Sequence, residues 1–241
     1  MTRKIGIFIL SFILLNCGGA NMSTYSSELY LTPTIYYLPV FEVSKVICAD
    51  SDKKPLKNSE DKVLIDACSL QYKKCATQGS CYFQQANKFR LFNVSRRVGG
   101  EMRFNEIIDR KCPFGWGTHS TCIDPNYSVA ADIKIYPVGT VIFVPEVRGL
   151  ILENGDTHSG YFIVRDEGGG VSGAGRFDFN TGTSAPTDSK NILAHLGLGD
   201  PDNKFKYQIV RGSLANEILK SRNFPNLNSA VLDEGKKLFG D

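Results

Sequence analysis

The 241 residues carry 28 Lys and Arg against 25 Asp and Glu, a formal charge of +3. Arg3 and Lys4 belong to an N-terminal leader; without them 26 cations face 25 anions and the charge falls to about +1. No Lys/Arg stripe is left to mark a nucleic-acid partner, and the remaining length is one domain's worth of chain with no internal repeat.

In chain order the first element is MTRKIGIFILSFILLNC. A positive start and a short apolar run, Ile5 to Leu15, read as a signal peptide over 1–16, too short to span a bilayer. Leu14-Leu15-Asn16-Cys17 resembles a bacterial lipobox, with Asn16 where Gly, Ala or Ser is usual. Cys17 is therefore the expected lipidation site. The chain is expected to be an exported envelope lipoprotein, held by its acyl chains at the periplasmic face of the outer membrane. Residues 17–30 read as the tether.

LTPTIYYLPVFEV, 31–43, is β-branched and aromatic but broken by Pro33 and Pro39, which predicts an edge strand or extended segment. ADSDKKPLKNSEDK, 49–62, reads as a charged surface loop. LIDACSLQYKKC, 64–75, reads as a helix with Leu64, Ala67, Cys68 and Tyr72 on one face. Strands are expected in FRLFNV (89–94), in Thr140 to Val144, in the two apolar runs of 148–166 joined by Asn154-Gly155-Asp156, and in KYQIVRG (206–212). Two helices end the chain: one over 213–221 with Ser213 as N-cap and Glu217 in its first turns, another over 229–240. Many short strands at irregular spacing predict a mainly β fold, a closed barrel with a few short helices.

The chain has seven cysteines. With Cys17 lipidated, an even set is left in an exported chain: Cys48, Cys68, Cys75, Cys81, Cys112 and Cys122. This predicts disulfides. Cys112–Cys122 is the preferred local pair, closing CPFGWGTHSTC; the pairing of the other four is open. Cys75 and Cys81 are too far apart for a zinc pair, and no histidine lies nearby in sequence, so neither metal nor cofactor is expected.

YFIVRDEGGGVSGAGRFDFNTG, 161–182, places Asp166 and Asp178 at apolar runs and five glycines between them. As a phosphate cradle it lacks Gly-Lys-Ser/Thr, and RFDFN alternates like a strand rather than opening a helix. As a solvated hairpin it would be unremarkable. Apolar flanks, however, raise a carboxyl pKa by desolvation, and a second carboxylate nearby raises one of the pair further. A carboxyl kept protonated near neutral pH is what general acid catalysis needs. SVAADIKIYPVGTVIFVP supplies a third aspartate, Asp132.

Ala131-Asp132, Pro137-Val138-Gly139-Thr140, Asp166 with its glycines and Arg176-Phe177-Asp178 together resemble the three-aspartate (3D) domain over about 112–211. That domain is shared with the membrane-bound lytic transglycosylase A family and is similar to its double-psi β-barrel. The resemblance implies a barrel over 112–212, a disulfide-linked N-terminal segment over 31–111 packing on it, and a helical tail over 213–241. It implies that Asp178 protonates the MurNAc–GlcNAc glycosidic oxygen of peptidoglycan. Asp178 then accepts the proton of the sugar's 6-hydroxyl as that oxygen closes a 1,6-anhydro ring. Asp166 and Asp132 would position or tune it, and Gly168, Gly169, Gly170, Arg176 and Tyr161 would contact the glycan strand. A monomer is expected. The loop reads D-E-G-G-G-V-S-G where the family pattern is closer to D-T-G-G-A-I-K-G, so Ser172 stands in place of a lysine.

Other readings of the same residues are a non-catalytic wall-binding or structural lipoprotein, an aspartic-protease-like dyad with its two carboxyls in contact, and a metal-dependent hydrolase with converging carboxylates. His119, His158 and His195 are scattered and read as loop or core residues, His158 being the one that could line a cleft. Trp116, the only tryptophan, reads as a packed loop residue or a platform for sugar. Phe179 reads as core or cleft wall. Cys122 is disfavoured as a nucleophile within an even cysteine set.

Overall fold

The computed structural model describes residues 29–45 and 47–240; the leader, Cys17 and most of the tether lie outside the described residues. In chain order the strands are Leu29–Tyr30 (β1), Thr32–Tyr36 (β2), Val40–Glu42 (β3), Leu56–Lys57 (β4), Val63–Ile65 (β5), Ser80–Gln85 (β6), Lys88–Val98 (β7), Glu101–Ile107 (β8), Ser128–Ala131 (β9), Val141–Phe143 (β10), Tyr161–Asp166 (β11), Arg176–Asn180 (β12) and Lys206–Val210 (β13). The helices are Ser69–Gln78 (α1), Ile192–Leu196 (α2), Gly212–Ser221 (α3) and Ser229–Phe239 (α4).

Seven strands form one sheet in the order β1-β13-β10-β11-β9-β12-β2. Its outer members, β1 and β2, are consecutive in the chain with only Leu31 between them. Leu31 is fully buried, its N–H donates to the Phe205 carbonyl at 2.8 Å, and the Thr32 N–H donates to the Gly175 carbonyl at 2.8 Å. The sheet therefore nearly closes on itself, its two outer strands joined through one residue. Pro33 fits because β2 pairs with β12 alone. The barrel thus uses residues 29–36 as well as the later stretch that carries the three aspartates.

Alternation along the strands fills the barrel. Val129, Ala131, Ile142, Phe162, Val164, Phe177 and Phe179 are all completely shut from solvent and share one cluster. Two tyrosines join that core without an unpaired hydroxyl: Tyr136 and Tyr207 share a hydrogen bond of 2.7 Å, and the Gly175 N–H donates to Tyr136 at 2.9 Å. The helix α2 packs Leu193 into the same cluster; its N-cap, Asn191, accepts from the Ala194 N–H at 3.0 Å.

The second sheet, β3-β6-β7-β8, lies under α1 with Phe83, Phe92, Phe104 and Tyr72 between them. Disulfides Cys48–Cys68 and Cys75–Cys81 staple this part, and Cys112–Cys122 closes the loop expected for it. The helix expected from Leu64 starts later, at Ser69, and Leu64 lies in β5. The reason is local. Cys68 is tied to Cys48 and extended, its N–H donates to Gln71 Oε1 at 2.9 Å, and the Ala67 carbonyl accepts from the Lys54 N–H at 2.7 Å. Position 68 is thereby the N-cap rather than a helical residue. Likewise α3 begins at Gly212, with Arg211 rather than Ser213 at the cap. The final helix, α4, forms where expected, opened by Asn228. Its Phe239 stacks on Tyr82 of β6 at 4.0 Å between ring centres and meets Phe114 edge-on, so the tail joins the second sheet to the barrel.

Candidate active site

The strands of the barrel set four residues abreast. Asp166 on β11 pairs with Ala130 on β9, Ala130 pairs with Asp178 on β12, and Asp178 pairs with Thr34 on β2. Directly paired residues share a face. Here that face is the one opposite the core, since Phe177 and Phe179 point inward on either side of Asp178. Tyr36, two residues beyond Thr34, joins the same face. Ala130 between the aspartates keeps their backbones two strand spacings apart, roughly 10 Å. That separation is unlike the contact pair of an aspartic-protease dyad.

This face is the floor of a groove of about 890 Å³. Asp166, Asp178, Tyr36 and the glycines Gly168, Gly169 and Gly170 line it from the barrel. The opposite wall comes from α1 and the second sheet, including Tyr72, Lys73, Asn93, Val94 and Arg97, and Trp116 reaches it from the disulfide-closed loop. The cysteine-bearing segment is thus the second wall of the cleft.

The glycine loop is folded rather than loose. The Val171 N–H donates to the Gly168 carbonyl at 2.9 Å, and a Cβ on Gly168 would fall 2.3 Å from the buried Val171 side chain. Gly175 has φ +75°, and a Cβ there would stand 2.5 Å from the Tyr30 carbonyl. The glycines thus serve close packing, which is why the most permissive residues join two carboxylate-bearing strands.

Burial raises both carboxyl pKa values. Asp166 is lifted to about 6, by desolvation above all and then by the negative charge of Asp178; the Glu167 N–H at 2.8 Å and the Thr118 hydroxyl at 3.2 Å, both on Oδ1, hold it down. Asp178 is raised by desolvation, against the Thr34 hydroxyl and the charge of Arg176. Its Oδ1 is buried and accepts no hydrogen bond. Burial and the charges of both aspartates also push the Tyr36 phenol far up, so it stays neutral.

Several expected contacts fall elsewhere. Asp132 lies outside the groove lining. Its carboxylate accepts from the Lys134 N–H and the Gly173 N–H, each at 3.1 Å, and these bonds lower its pKa. It anchors the glycine loop. Arg176 donates to the Thr32 carbonyl at 2.9 Å and reaches Asp178 only through its charge. Tyr161 opens β11, at the opposite end from Asp166, packed on Phe143 and lining a separate cavity with Ile218 and Arg222. His158 is buried with its pKa lowered to about 4 by desolvation, stacked on Tyr127. Phe179 is core. Among the described residues one cluster has metal-ligand spacing, Cys48, Asp52 and Cys68, and its two sulfurs are joined to each other. The three aspartates do not converge in that way.

Sequence reasoning missed Tyr36, Asn93 and Thr118. Thr118 comes to Asp166 because its loop is pressed against β11: a Cβ on Gly117 would lie 2.2 Å from the Arg165 carbonyl, and Thr121 Oγ1 donates to that carbonyl at 2.5 Å. Because Asp166 binds its proton more tightly folded than unfolded, protonation supports the fold. That contribution is complete below 3.8 and is lost as the pH rises through about 6. Thr118→Val removes a donor to the charged form, so the upper limit of this window should move to higher pH in urea unfolding measured as a pH series. An unchanged limit would mean that the hydroxyl does not act on Asp166.

Residues 127–190, which include all three aspartates, match the family model of the 3D domain. No curated protein matches the chain. Among solved structures, the chain is similar to Escherichia coli MltA with bound chitohexaose: TM-score 0.52, 13% identity, 76% of this chain and 72% of that one. It is also similar to the membrane-bound lytic murein transglycosylase from Agrobacterium tumefaciens: TM-score 0.53, 12% identity, 79% of this chain and 77% of that one. At these identities the likeness is one of fold.

Proposed function

We propose that this chain, which carries a 3D domain within a fold like that of the MltA lytic transglycosylases, is itself a peptidoglycan lytic transglycosylase. The observation that carries the reading is Asp178: a carboxyl with raised pKa whose Oδ1 is buried without a partner, on the floor of a groove walled on both sides. Apart from the Thr34 hydroxyl, no side chain engages this carboxyl directly.

In this mechanism Asp178 passes its proton to the glycosidic oxygen between MurNAc and GlcNAc as the C1–O bond breaks. The resulting carboxylate takes the proton of the 6-hydroxyl while O6 bonds to C1, which yields the 1,6-anhydro sugar and restores the acid. No water is consumed, so one carboxyl in two successive roles suffices, unlike the flanking pair of hydrolytic glycosidases. Asp166, its own pKa raised to about 6, stands across Ala130 and, once ionised, supplies negative charge while positive charge develops at C1. Asp132 acts at one remove, by holding the glycine loop. The chemistry uses carboxyl groups alone.

The bound chitohexaose of the E. coli structure supports a glycan as ligand of the groove. For the cell we propose an exported monomer, lipid-anchored through Cys17, that reaches the wall from the periplasmic face of the outer membrane. The Agrobacterium protein's name supports a membrane address. No helix among the described residues is long and apolar enough to cross a membrane.

Purified sacculi digested with the leaderless chain should give 1,6-anhydro-muropeptides by mass. Products one water heavier would mean hydrolysis. Sacculi that retain the protein but release nothing would replace the enzyme with a wall-binding lipoprotein on the same barrel.

A further inference from the structure

Six buried side-chain polar atoms lack a hydrogen-bond partner among the described residues, and four of them belong to residues that line the groove: Tyr36 Oη, Asn93 Oδ1, Trp116 Nε1 and Asp178 Oδ1. A buried polar group left unpaired is destabilising, so their gathering in one place points to a polar ligand. Tyr36 and Asp178 belong to the carboxylate floor. Asn93 and Trp116 are on the other side and nothing in the bond-breaking chemistry uses them.

These two residues are tied together. Asn93 Nδ2 donates to the Trp116 carbonyl at 2.8 Å. A carbonyl only accepts, so this bond fixes which end of the amide faces it and leaves Oδ1 as the spare acceptor. Trp116 Nε1 is a donor only. The pair thus offers one unused acceptor and one unused donor on two residues bonded to each other. Both are held on rigid supports. Asn93 is in the middle of β7 and only 9% exposed; Trp116 bridges to Cys122 inside the loop closed by Cys112–Cys122. The indole of Trp116 adds an apolar surface to the same wall.

We propose that Asn93 and Trp116 form a subsite for the acetamido group of an N-acetylated sugar. The ligand's amide N–H donates to Asn93 Oδ1, its carbonyl accepts from Trp116 Nε1, and its methyl meets the indole. A secondary amide suits this wall better than a hydroxyl: it carries donor and acceptor on separate atoms with a methyl beside them. Both protein atoms are buried here, so engagement takes a small opening of the groove wall around them. The inference rests on reading the groove as a glycan cleft, but not on catalysis.

The test compares chitohexaose with cellohexaose, the uncharged β-1,4 hexamer that has a hydroxyl in place of each acetamido group. Calorimetry on the purified chain should show chitohexaose binding at least about tenfold more tightly. Trp116 is the only tryptophan, so its fluorescence should respond to chitohexaose and not to cellohexaose. Trp116→Phe keeps a ring and removes the N–H. It should weaken chitohexaose by about tenfold and leave cellohexaose unchanged. Equal wild-type affinities, no binding of either hexamer, or a variant that weakens both alike would overturn the subsite. The wild-type comparison stands even where the variant folds poorly. Selective binding without cleavage of sacculi would retire the lytic reading and keep the subsite; cleavage without selectivity would do the reverse.

Discussion

Asp178→Asn should cut the release of anhydro-muropeptides by roughly a thousandfold, the scale of a lost general acid–base group, without lowering thermal stability. The two halves of this expectation come from one atom. Oδ1 of Asp178 is buried with no donor, and desolvation raises the pKa of the group. An ionised Asp178 therefore strains the fold, and a neutral amide of the same shape relieves that strain while removing the transferable proton. A raised folded pKa means stability is lost as pH rises through it, so the wild type should weaken with rising pH over a range where the variant changes less. Activity needs the protonated acid and should fall over the same range. Asp166→Asn is the companion measurement: a smaller loss of rate is expected, because Asp166 supplies charge rather than the proton. Retained activity in Asp178→Asn would move the acid elsewhere, with Asp166 the first alternative.

The largest loss of stability should come from Arg165→Met. Arg165 is the residue before Asp166, at the register shift in β11, and is completely buried. Its guanidinium donates to the carbonyls of Cys122, Pro225 and Asn226 at 2.9, 3.1 and 3.0 Å and to that of Arg222 at 3.3 Å. Asp124, 3.7 Å away, is gripped by Arg222 through two further bonds of 2.8 and 2.5 Å. Desolvation lowers the Arg165 pKa to about 10, which still leaves it charged at neutral pH. One cation thus ties two stretches of chain, 122–124 and 222–226, to the strand that carries Asp166. Removing one partner of such a buried network costs about 3–5 kcal/mol, and for a domain of this size each kcal/mol is worth roughly 2–4 °C in Tm. A drop of about 10 °C or more by calorimetry is expected. A change within about 2 °C would show that the carbonyls find other donors.

The carboxylate floor was legible because its information is local. Asp166 and Asp178 end or interrupt apolar runs, and glycines between them are readable as close packing or as flexibility. The choice between those needed the Val171 side chain and the Tyr30 carbonyl, which only folding brings near. The barrel was legible from its strands, but its near-closure through Leu31 was not, since both partners of residues 29–36 come from far along the chain. The opposite wall was opaque for the same reason. Thr118 and Asp166 are 48 residues apart, Asn93 and Trp116 are 23 apart, and no motif ties either pair. Tyr161 shares a strand with Asp166 but opens it, and spacing along a strand does not say how far the groove extends. Helical spacing places the start of α1 too early because it does not register the disulfide-tied cap at Cys68.

The three disulfides join Cys48 to Cys68, Cys75 to Cys81 and Cys112 to Cys122. None straddles another: along this stretch each cysteine bonds to the neighbour next in line. A chain threaded through a membrane with its N-terminus leading would present each pair complete before the next pair emerged. First come, first joined is then the native outcome. An oxidant without proofreading would suffice to cross-link the wall that faces the carboxylate floor, and wrong pairings would demand that a thiol wait for a later arrival.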